Sequence, residues 1–225
     1  MKLSKRLRRS FYSQPWLVRA ATDRFHRLYY NRNDRTWRNT RWLGTDVEKC
    51  PLDLWIYQEI LHELRPEVII ETGTRHGGSA RYLASLCDLI GTGRVLSIDI
   101  DEAAGRPEHD RIHYFTGSST GPEASKFIRD FVGDASPVVV ILDSDHARTH
   151  VLDEMELYSD FVTRGSYLIV EDTNVNGHPV DPGFGPGPWE AIETFMARDK
   201  RFEIDHEREK FFLTFNPRGY LKKVA

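Results

Sequence analysis

Residues 67–90 read EVIIETGTRHGGSARYLASLCDLI. The first five residues are rich in β-branched side chains, which is typical of a short buried strand. A glycine-containing turn, TGTRHGGS, follows, and apolar residues then recur with helical spacing over 80–90. This order predicts a strand, a tight loop and a helix.

The same alternation continues along the chain. We predict strands over 94–100, 137–142, 166–170 and 211–215, and helices over 53–64, 124–132, 150–161 and 188–198. The run PVVVIL at 137–142 is apolar throughout, which indicates a strand covered on both faces. The sequence therefore predicts an α/β, Rossmann-like fold with a doubly wound, mostly parallel sheet and helices on both faces.

The turn at 71–79 is the predicted cofactor site, because ligands of open parallel sheets bind where the strands end. Arg75 stands where the G-x-G-x-x-G dinucleotide fingerprint would have its second glycine. S-adenosylmethionine, which has no phosphate, is therefore favoured over a pyrophosphate cofactor. Asp99 ends the second strand and is placed to accept both ribose hydroxyls. The predicted cofactor-binding residues are Glu71, Gly73, Thr74, Ser79, Asp99, Ser118, Ser119 and Asp143.

Acidic residues follow two later strands. Asp143 and Asp145, with His146 next to them, follow one strand, and Glu171 and Asp172 follow the next. Carboxylates gathered in a crevice are costly without a cation, and oxygen ligands without sulfur favour Mg²⁺ or a similar ion. Such an ion can lower the pKa of a substrate hydroxyl. His146 is the predicted base, because an imidazole titrates near neutral pH. Asp143 and Asp145 are both candidates for the first metal ligand.

A loop rich in glycine and proline is predicted over 174–188. A loop of this length inside a compact domain is usually a lid or a mobile surface segment, and its place after a strand favours a lid over the acceptor. His178, within this loop, is a second candidate for the base.

Charge is distributed unevenly along the 225 residues. The totals, 31 Lys and Arg against 34 Asp and Glu, give no sign of a nucleic-acid binder. Residues 1–41 are strongly basic, so we predict a basic N-terminal extension over 1–41 and one domain over 42–225. We interpret the extension as a solvated or oligomer-forming arm, with contact to an anionic membrane surface as the alternative.

Aromatic residues near the N-terminus could build a subunit interface or cover the acceptor site, and we expect a homo-oligomer. These residues are Tyr12, Trp16, Tyr29, Tyr30 and Trp37. The only cysteines, Cys50 and Cys87, are far apart, which fits a reducing compartment. No apolar run has the roughly 20 residues that span a bilayer, so we expect a cytoplasmic protein.

The motifs ETGTRHGGSA, SIDID, ILDSDH, VEDTN and GPGPWEAI together resemble those of the cephalosporin hydroxylase/rhamnosyl O-methyltransferase family. The resemblance covers residues 42–215. It implies a class I methyltransferase fold with S-adenosylmethionine as the methyl donor. It also implies that Asp143, Glu171 and Asp172 hold Mg²⁺ and that His146 removes the acceptor's proton.

The favoured function is therefore metal-dependent transfer of a methyl group to a hydroxyl of a small polar acceptor, such as a sugar, a glycolipid or a secondary metabolite. This chemistry needs chiefly positioning and stabilisation of charge. One alternative is an iron-dependent tailoring oxygenase that uses His146, His178 and Asp143, although clusters rich in acids and poor in histidine disfavour it. The other is a non-catalytic partner that binds S-adenosylmethionine.

Overall fold

The computed structural model describes residues 13–32 and 36–225. A short antiparallel hairpin, β1 (Arg41–Trp42) and β2 (Thr45–Asp46), precedes the central sheet. The sheet contains β3 (Val68–Thr72), β4 (Arg94–Asp99), β5 (Ile112–Thr116), β6 (Val138–Leu142), β7 (Tyr167–Val170), β8 (Phe202–Ile204) and β9 (Tyr220–Lys223). Its order is β5-β4-β3-β6-β7-β9-β8. The pairs among β3 to β7 are parallel, and β9 runs antiparallel to both β7 and β8.

Helices cover both faces of the sheet. They are α1 (Pro15–Asn31), α2 (Pro51–Leu64), α3 (Gly78–Ile90), α4 (Pro122–Val132), α5 (Arg148–Tyr158) and α6 (Pro188–Arg198), with short 3₁₀ helices at Thr36–Asn39 and His206–Glu209. Alternate strand residues face opposite sides, so Val140 packs with α4, α5 and α6, while Val139 packs with α2 and α3. The predicted doubly wound fold is confirmed.

The strand predicted over 211–215 is wrong. This segment has no strand, and the last two strands of the sheet are β8 and β9. Its buried residues Leu213 and Phe215 instead pack with Tyr29, Tyr30 and Trp37 from the N-terminal region. The Phe215 amide also donates to the Asp53 carboxylate at 2.8 Å, which occupies a backbone group that a strand would use.

The N-terminal extension is partly helical, which the sequence interpretation had missed. Helix α1 docks on the domain through His26, whose ring stacks on Phe215 with centroids 5.6 Å apart. The side-chain amide nitrogen of Asn174, Nδ2, lies 2.9 Å from Nε2 of His26. Tyr12 and the basic residues at positions 2–9 lie outside the described residues. The domain boundary at 41/42 stays a prediction, although α1 packs on the predicted domain.

The described helices include none that is both long enough and apolar enough to cross a membrane.

Candidate active site

A cavity of about 720 Å³ opens at the carboxyl ends of the parallel strands. Its volume is within the range of small-molecule sites, roughly 300–1,000 Å³. Its lining includes three groups of residues that carry the argument below. The turn after β3 and the end of β4 contribute Gly73, Thr74 and Asp99, while the ends of β6 and β7 contribute Asp143 and Asp172. The third group comes from the N-terminal region and comprises Tyr30, Trp37 and Arg38.

Gly73 is the residue on which the first turn depends. Its φ of +85° lies in the left-handed region, and a Cβ there would lie 1.8 Å from the carbonyl oxygen of Asp143. Only glycine meets both conditions. The turn after β3 and the end of β6 are therefore in direct backbone contact.

Glu71 is fully buried in β3 and does not itself line the cavity. Its Oε2 accepts a hydrogen bond from Ser97 at 2.8 Å, and Ser97 lies 2.7 Å from the Thr74 hydroxyl. Its Oε1 is buried without a hydrogen-bond partner among the described residues. Burial raises the pKa of this carboxyl group. A buried, unsatisfied acceptor marks a place where a ligand's donor would be stabilised.

Asp99 lines the cavity but is already held by neighbouring groups. Its Oδ2 accepts from the Arg75 amide at 2.7 Å and lies 3.2 Å from the Arg106 guanidinium. Its Oδ1 accepts from the Asp101 amide at 3.0 Å. These contacts fix the carboxylate, and Oδ1, which accepts a single hydrogen bond, keeps a lone pair for a further donor.

The predicted small hydroxyl ligands lie in different surroundings. Ser79 is buried at the start of α3 and lines the cavity. Ser118 is exposed, 3.3 Å from the Thr120 hydroxyl. Ser119 is buried, and its hydroxyl lies 3.2 Å from His150. All three line the same cavity, and the cofactor-binding role predicted for them stays a prediction.

Asp143, His146 and Asp172 form a cluster whose potential ligand atoms all lie within 4.8 Å of one another. Nε2 of His146 is 3.1 Å from Oδ2 of Asp172 and 3.9 Å from Oδ1 of Asp143. The strands bring the acids together, because the Glu171 amide donates to the Leu142 carbonyl at 3.0 Å. Asp172 has φ +53°, a strained value of the kind that concentrates at functional sites.

The neighbouring carboxylates favour the protonated form of His146 in the metal-free site. Burial alone would lower its pKa, but the carboxylates of Asp172 and Asp143 raise the pKa to about 9. Asp172, in turn, has its pKa lowered by His146 against the effect of burial. The cluster therefore attracts positive charge, which a metal ion would also supply.

Asp145 and His178 lie away from this cluster. The Asp145 carboxylate is exposed and accepts from the Ala147 amide at 2.7 Å. His178 lies 3.0 Å from Glu190 and stacks on Trp189 at 4.1 Å. The structure does not bring His178 to His146 and Asp143, the set that the oxygenase alternative needs. Asp145 lines the same cavity as Asp143 and Asp172 but is not part of their cluster.

The predicted lid packs on the domain instead of over the cavity. Val175 and Val180 are buried, and the Asn174 amide donates to the Phe215 carbonyl at 3.1 Å. None of the described residues 174–188 lines the cavity. Tyr30, Trp37 and Arg38 line the cavity instead.

Glu171 faces a residue that the sequence interpretation had missed, Lys49. The Lys49 ammonium is buried, lies 2.5 Å from Oε1 of Glu171 and contacts Oδ2 of Asp143. Tyr57 donates to the same Glu171 oxygen at 2.7 Å. Burial alone would lower the pKa of Lys49, but the two carboxylates raise it above the ordinary lysine value. Burial and Asp143 raise the pKa of Glu171, so one ammonium is shared between two carboxyl groups.

No spacing in the sequence pointed to Lys49, because it belongs to the segment between the hairpin and α2, far from both strand ends. The metal role predicted for Glu171 stays a prediction. In this structure its carboxylate is committed to Lys49 and Tyr57, whereas His146 lies in the acidic cluster.

Comparison with known sequences gives a consistent family. A sequence model described as Rhamnosyl O-methyltransferase/CmcI matches residues 34–224. Rhamnosyl O-methyltransferase of Mycobacterium bovis (strain BCG / Pasteur 1173P2) is 42% identical over 209 residues, which cover 90% of this chain and 84% of the relative. The protein of the same name from Mycobacterium leprae (strain TN) is 39% identical over 233 residues, covering 96% and 98%.

Solved structures share the fold. The CmcI-N160 apo structure superposes with a TM-score of 0.66 at 24% identity, covering 84% of this chain and 77% of that chain. The MycE methyltransferase from the mycinamycin biosynthetic pathway, in complex with Mg, SAH and mycinamycin VI, has a TM-score of 0.55 at 19% identity, covering 75% and 48%. The chain therefore belongs to the rhamnosyl O-methyltransferase/CmcI family and is an O-methyltransferase with the class I methyltransferase fold.

Proposed function

We propose that the protein transfers a methyl group from S-adenosylmethionine to a hydroxyl of a deoxysugar, a rhamnosyl group, with the help of a divalent cation. The observation that carries this proposal is the cluster of Asp143, His146 and Asp172 in the cavity that also contains Asp99. A cofactor carboxylate and an acid–imidazole cluster in one crevice fit methyl transfer to a hydroxyl whose proton must be removed.

The cofactor's methyl sulfonium supplies the electrophile when it is bound. We assign its ribose to Asp99, whose carboxylate is already oriented by backbone amides. Glu71 offers the buried, unsatisfied Oε1 near the turn, which suits an ammonium group or a bridging water. Gly73, Thr74, Ser79, Ser118 and Ser119 complete the proposed cofactor site.

The divalent cation, when bound, lowers the pKa of the acceptor hydroxyl. Carboxylate oxygens are the protein ligands that Mg²⁺ and Mn²⁺ prefer. Asp143 and Asp172 are the proposed ligands, with His146 beside them and Glu171 as a further carboxylate once Lys49 releases it. The same cation would offset the carboxylate charge that favours a proton on His146, and we propose that the neutral imidazole then takes the acceptor's proton at Nε2, the atom that faces both acids.

We assign the acceptor to the side of the cavity lined by Tyr30, Trp37 and Arg38. The chain's relatives are named for a rhamnosyl acceptor, and pyranose rings have apolar C–H faces that pack against aromatic side chains. Trp37 is itself braced by Tyr30, with ring centroids 5.5 Å apart, and by the Arg38 guanidinium at 4.9 Å. A braced aromatic wall can orient a sugar at low entropic cost.

Calorimetric titration with S-adenosylhomocysteine, with and without Mg²⁺, tests the cofactor half of the proposal. We expect wild-type binding, its loss in Asp99→Ala, and its retention in the neighbouring control Asp101→Ala. Absence of wild-type binding under both conditions would contradict the proposal.

Methyl transfer from labelled S-adenosylmethionine to an alkyl rhamnoside tests the acceptor half. Trp37→Ala should raise the KM for the rhamnoside and leave S-adenosylhomocysteine affinity unchanged. Trp16→Ala, on the exposed side of α1, is the matched control. An unchanged rhamnoside KM in Trp37→Ala would remove the acceptor from this wall.

A further inference from the structure

Lys49 places a positive charge inside the predicted metal site. Its side chain is 4% exposed, and its ammonium contacts one oxygen each of Asp143 and Glu171. The other oxygen of Asp143, Oδ1, faces His146. Asp143 therefore bridges the lysine and the cluster that a metal ion would occupy.

The position of Lys49 is fixed by the chain on both sides. Its carbonyl accepts a hydrogen bond from the Thr40 hydroxyl at 3.3 Å. The next residue, Cys50, caps α2, because its carbonyl accepts from the Asp53 and Leu54 amides. A buried lysine anchored in this way leaves its partners less readily than a surface lysine would.

The effect of Lys49 on the site follows from the balance of charge around it. Asp143, Glu171 and Asp172 bring three carboxyl groups together, and among residues 13–32 and 36–225 Lys49 is the only lysine or arginine within ion-pair distance of them. Unpaired buried carboxylates destabilise a fold strongly, so the ammonium supports this site whenever no metal is present. The same charge repels a divalent cation a few ångströms away and occupies oxygens that the cation would use.

We propose that Lys49 is an internal counter-cation that competes with the divalent metal for Asp143 and Glu171, so that it stabilises the metal-free site and lowers its affinity for metal. This inference rests on the metal-binding part of the proposed function. It predicts that neutralising Lys49 tightens metal binding while making the metal-free protein less stable.

The test uses Mn²⁺ alone as the probe, with free Mn²⁺ measured by electron paramagnetic resonance. Lys49→Gln keeps a hydrogen-bond donor of similar length without the charge, and Lys49→Met removes the donor as well. Lys210→Gln is the control, because this lysine forms an exposed ion pair with Glu59. We expect both Lys49 variants to bind Mn²⁺ about tenfold or more tightly than the wild type, and the control to match the wild type.

Thermal unfolding gives a second readout. The Lys49 variants should unfold at lower temperature than the wild type without metal and gain more from saturating Mg²⁺. Equal or weaker Mn²⁺ binding in the Lys49 variants, beside normal wild-type binding, would overturn this inference and leave the metal proposal intact. Absence of Mn²⁺ binding in all proteins would overturn both. Variants that fail to fold even with saturating Mg²⁺ would also overturn it, because the ammonium would then be required in the metal-bound state.

Discussion

At the residue scale, a few contacts of individual backbone and side-chain atoms fix the geometry of the active site. Gly73 and Asp143 touch through their backbones, Asp143 divides its two oxygens between Lys49 and His146, and Asp172 adopts a left-handed backbone to reach the cluster. Each of these residues must satisfy both a backbone or side-chain contact and the position of the cavity lining. Substitutions here should therefore have larger effects than their size suggests.

Gly73→Ala tests the contact between the first turn and β6. The substitution adds a methyl group at a positive φ and against the Asp143 carbonyl, so we expect a large loss of thermal stability and of S-adenosylhomocysteine binding. Gly91→Ala is a matched control, because Gly91 has φ +84° but no atom within 4 Å of an added Cβ. Equal destabilisation by the two variants would show that backbone strain, and not the contact, sets the cost.

His146→Asn tests the proposed base. We expect methyl transfer to fall by about a hundredfold or more, as is usual when a general base is removed. S-adenosylhomocysteine affinity, measured by calorimetry, should stay at the wild-type value. His62→Asn, at an exposed position on α2, should leave both quantities unchanged. Activity near that of the wild type in His146→Asn would exclude His146 as the base.

At the scale of secondary-structure elements, the aromatic contacts of α1 and the following 3₁₀ helix with the active-site domain centre on Phe215. Phe215 contacts His26, Tyr29, Tyr30 and Trp37 with ring centroids 5.5–6.1 Å apart. This helix and the following 3₁₀ turn bring Tyr30 and Trp37 to the cavity. Loss of the aromatic contacts around Phe215 should therefore lower the stability of the fold and change the positions of Tyr30 and Trp37 in the cavity wall.

Phe215→Ala is expected to destabilise the protein by about 3 kcal/mol, the usual cost of emptying a buried aromatic site. Limited proteolysis should then cut α1 faster than in the wild type. Phe212→Ala, at a position 64% exposed, is the control and should change neither. Proteolysis of α1 at the wild-type rate in Phe215→Ala would mean that other contacts hold the helix.

The elements that the sequence predicted well are those whose pattern is local. Strands such as β6 and helices such as α6 carry a continuous or periodic apolar signal, and their predicted bounds lie within a few residues of the observed ones. The segment around Phe215 carries the same apolar signal but uses it to dock α1. A short sequence window does not distinguish these two uses, because both bury the same side chains.

The site could be predicted to a similar extent. Asp99, Asp143, His146 and Asp172 follow strands, so the rule that ligands bind at strand ends brought them to one edge of the sheet. Lys49 lies in an irregular segment and Trp37 in a short 3₁₀ helix, both before the first strand of the central sheet. Their places depend on how those segments fold back over the sheet, which no local pattern in the sequence encodes.

At the scale of the whole molecule, the stability of the fold should depend on pH through one buried histidine, His26. Burial lowers the pKa of His26 from 6.5 to about 4, against the opposing charges of Asp23 and Asp172. The folded protein thus keeps this imidazole neutral where the unfolded chain would protonate it. His26 therefore costs the fold no stability above about pH 6.5. As the pH falls from there towards 4, protonation of His26 in the unfolded chain progressively lowers the free energy of unfolding.

His26→Phe should remove this dependence while keeping a ring on Phe215. Between about pH 7 and pH 5, we expect the wild type to lose about 1–2 kcal/mol of unfolding free energy relative to the variant, as measured by urea denaturation. The exposed His62→Phe variant should follow the wild-type profile. Parallel pH profiles for wild type and His26→Phe would show that folding does not lower the pKa of His26.

The contact between Gly73 and the Asp143 carbonyl also constrains how this enzyme can change over evolutionary time. A larger residue at 73 would push the end of β6 away, so the cofactor turn and the acid cluster cannot diverge independently. A descendant that lost the acids could keep the turn, since the backbone of residue 143 would still fit against glycine. One that lost the glycine would disturb both sites in a single step. We therefore expect natural variation in this lineage to reach the acceptor wall long before it reaches the joint between these two strands.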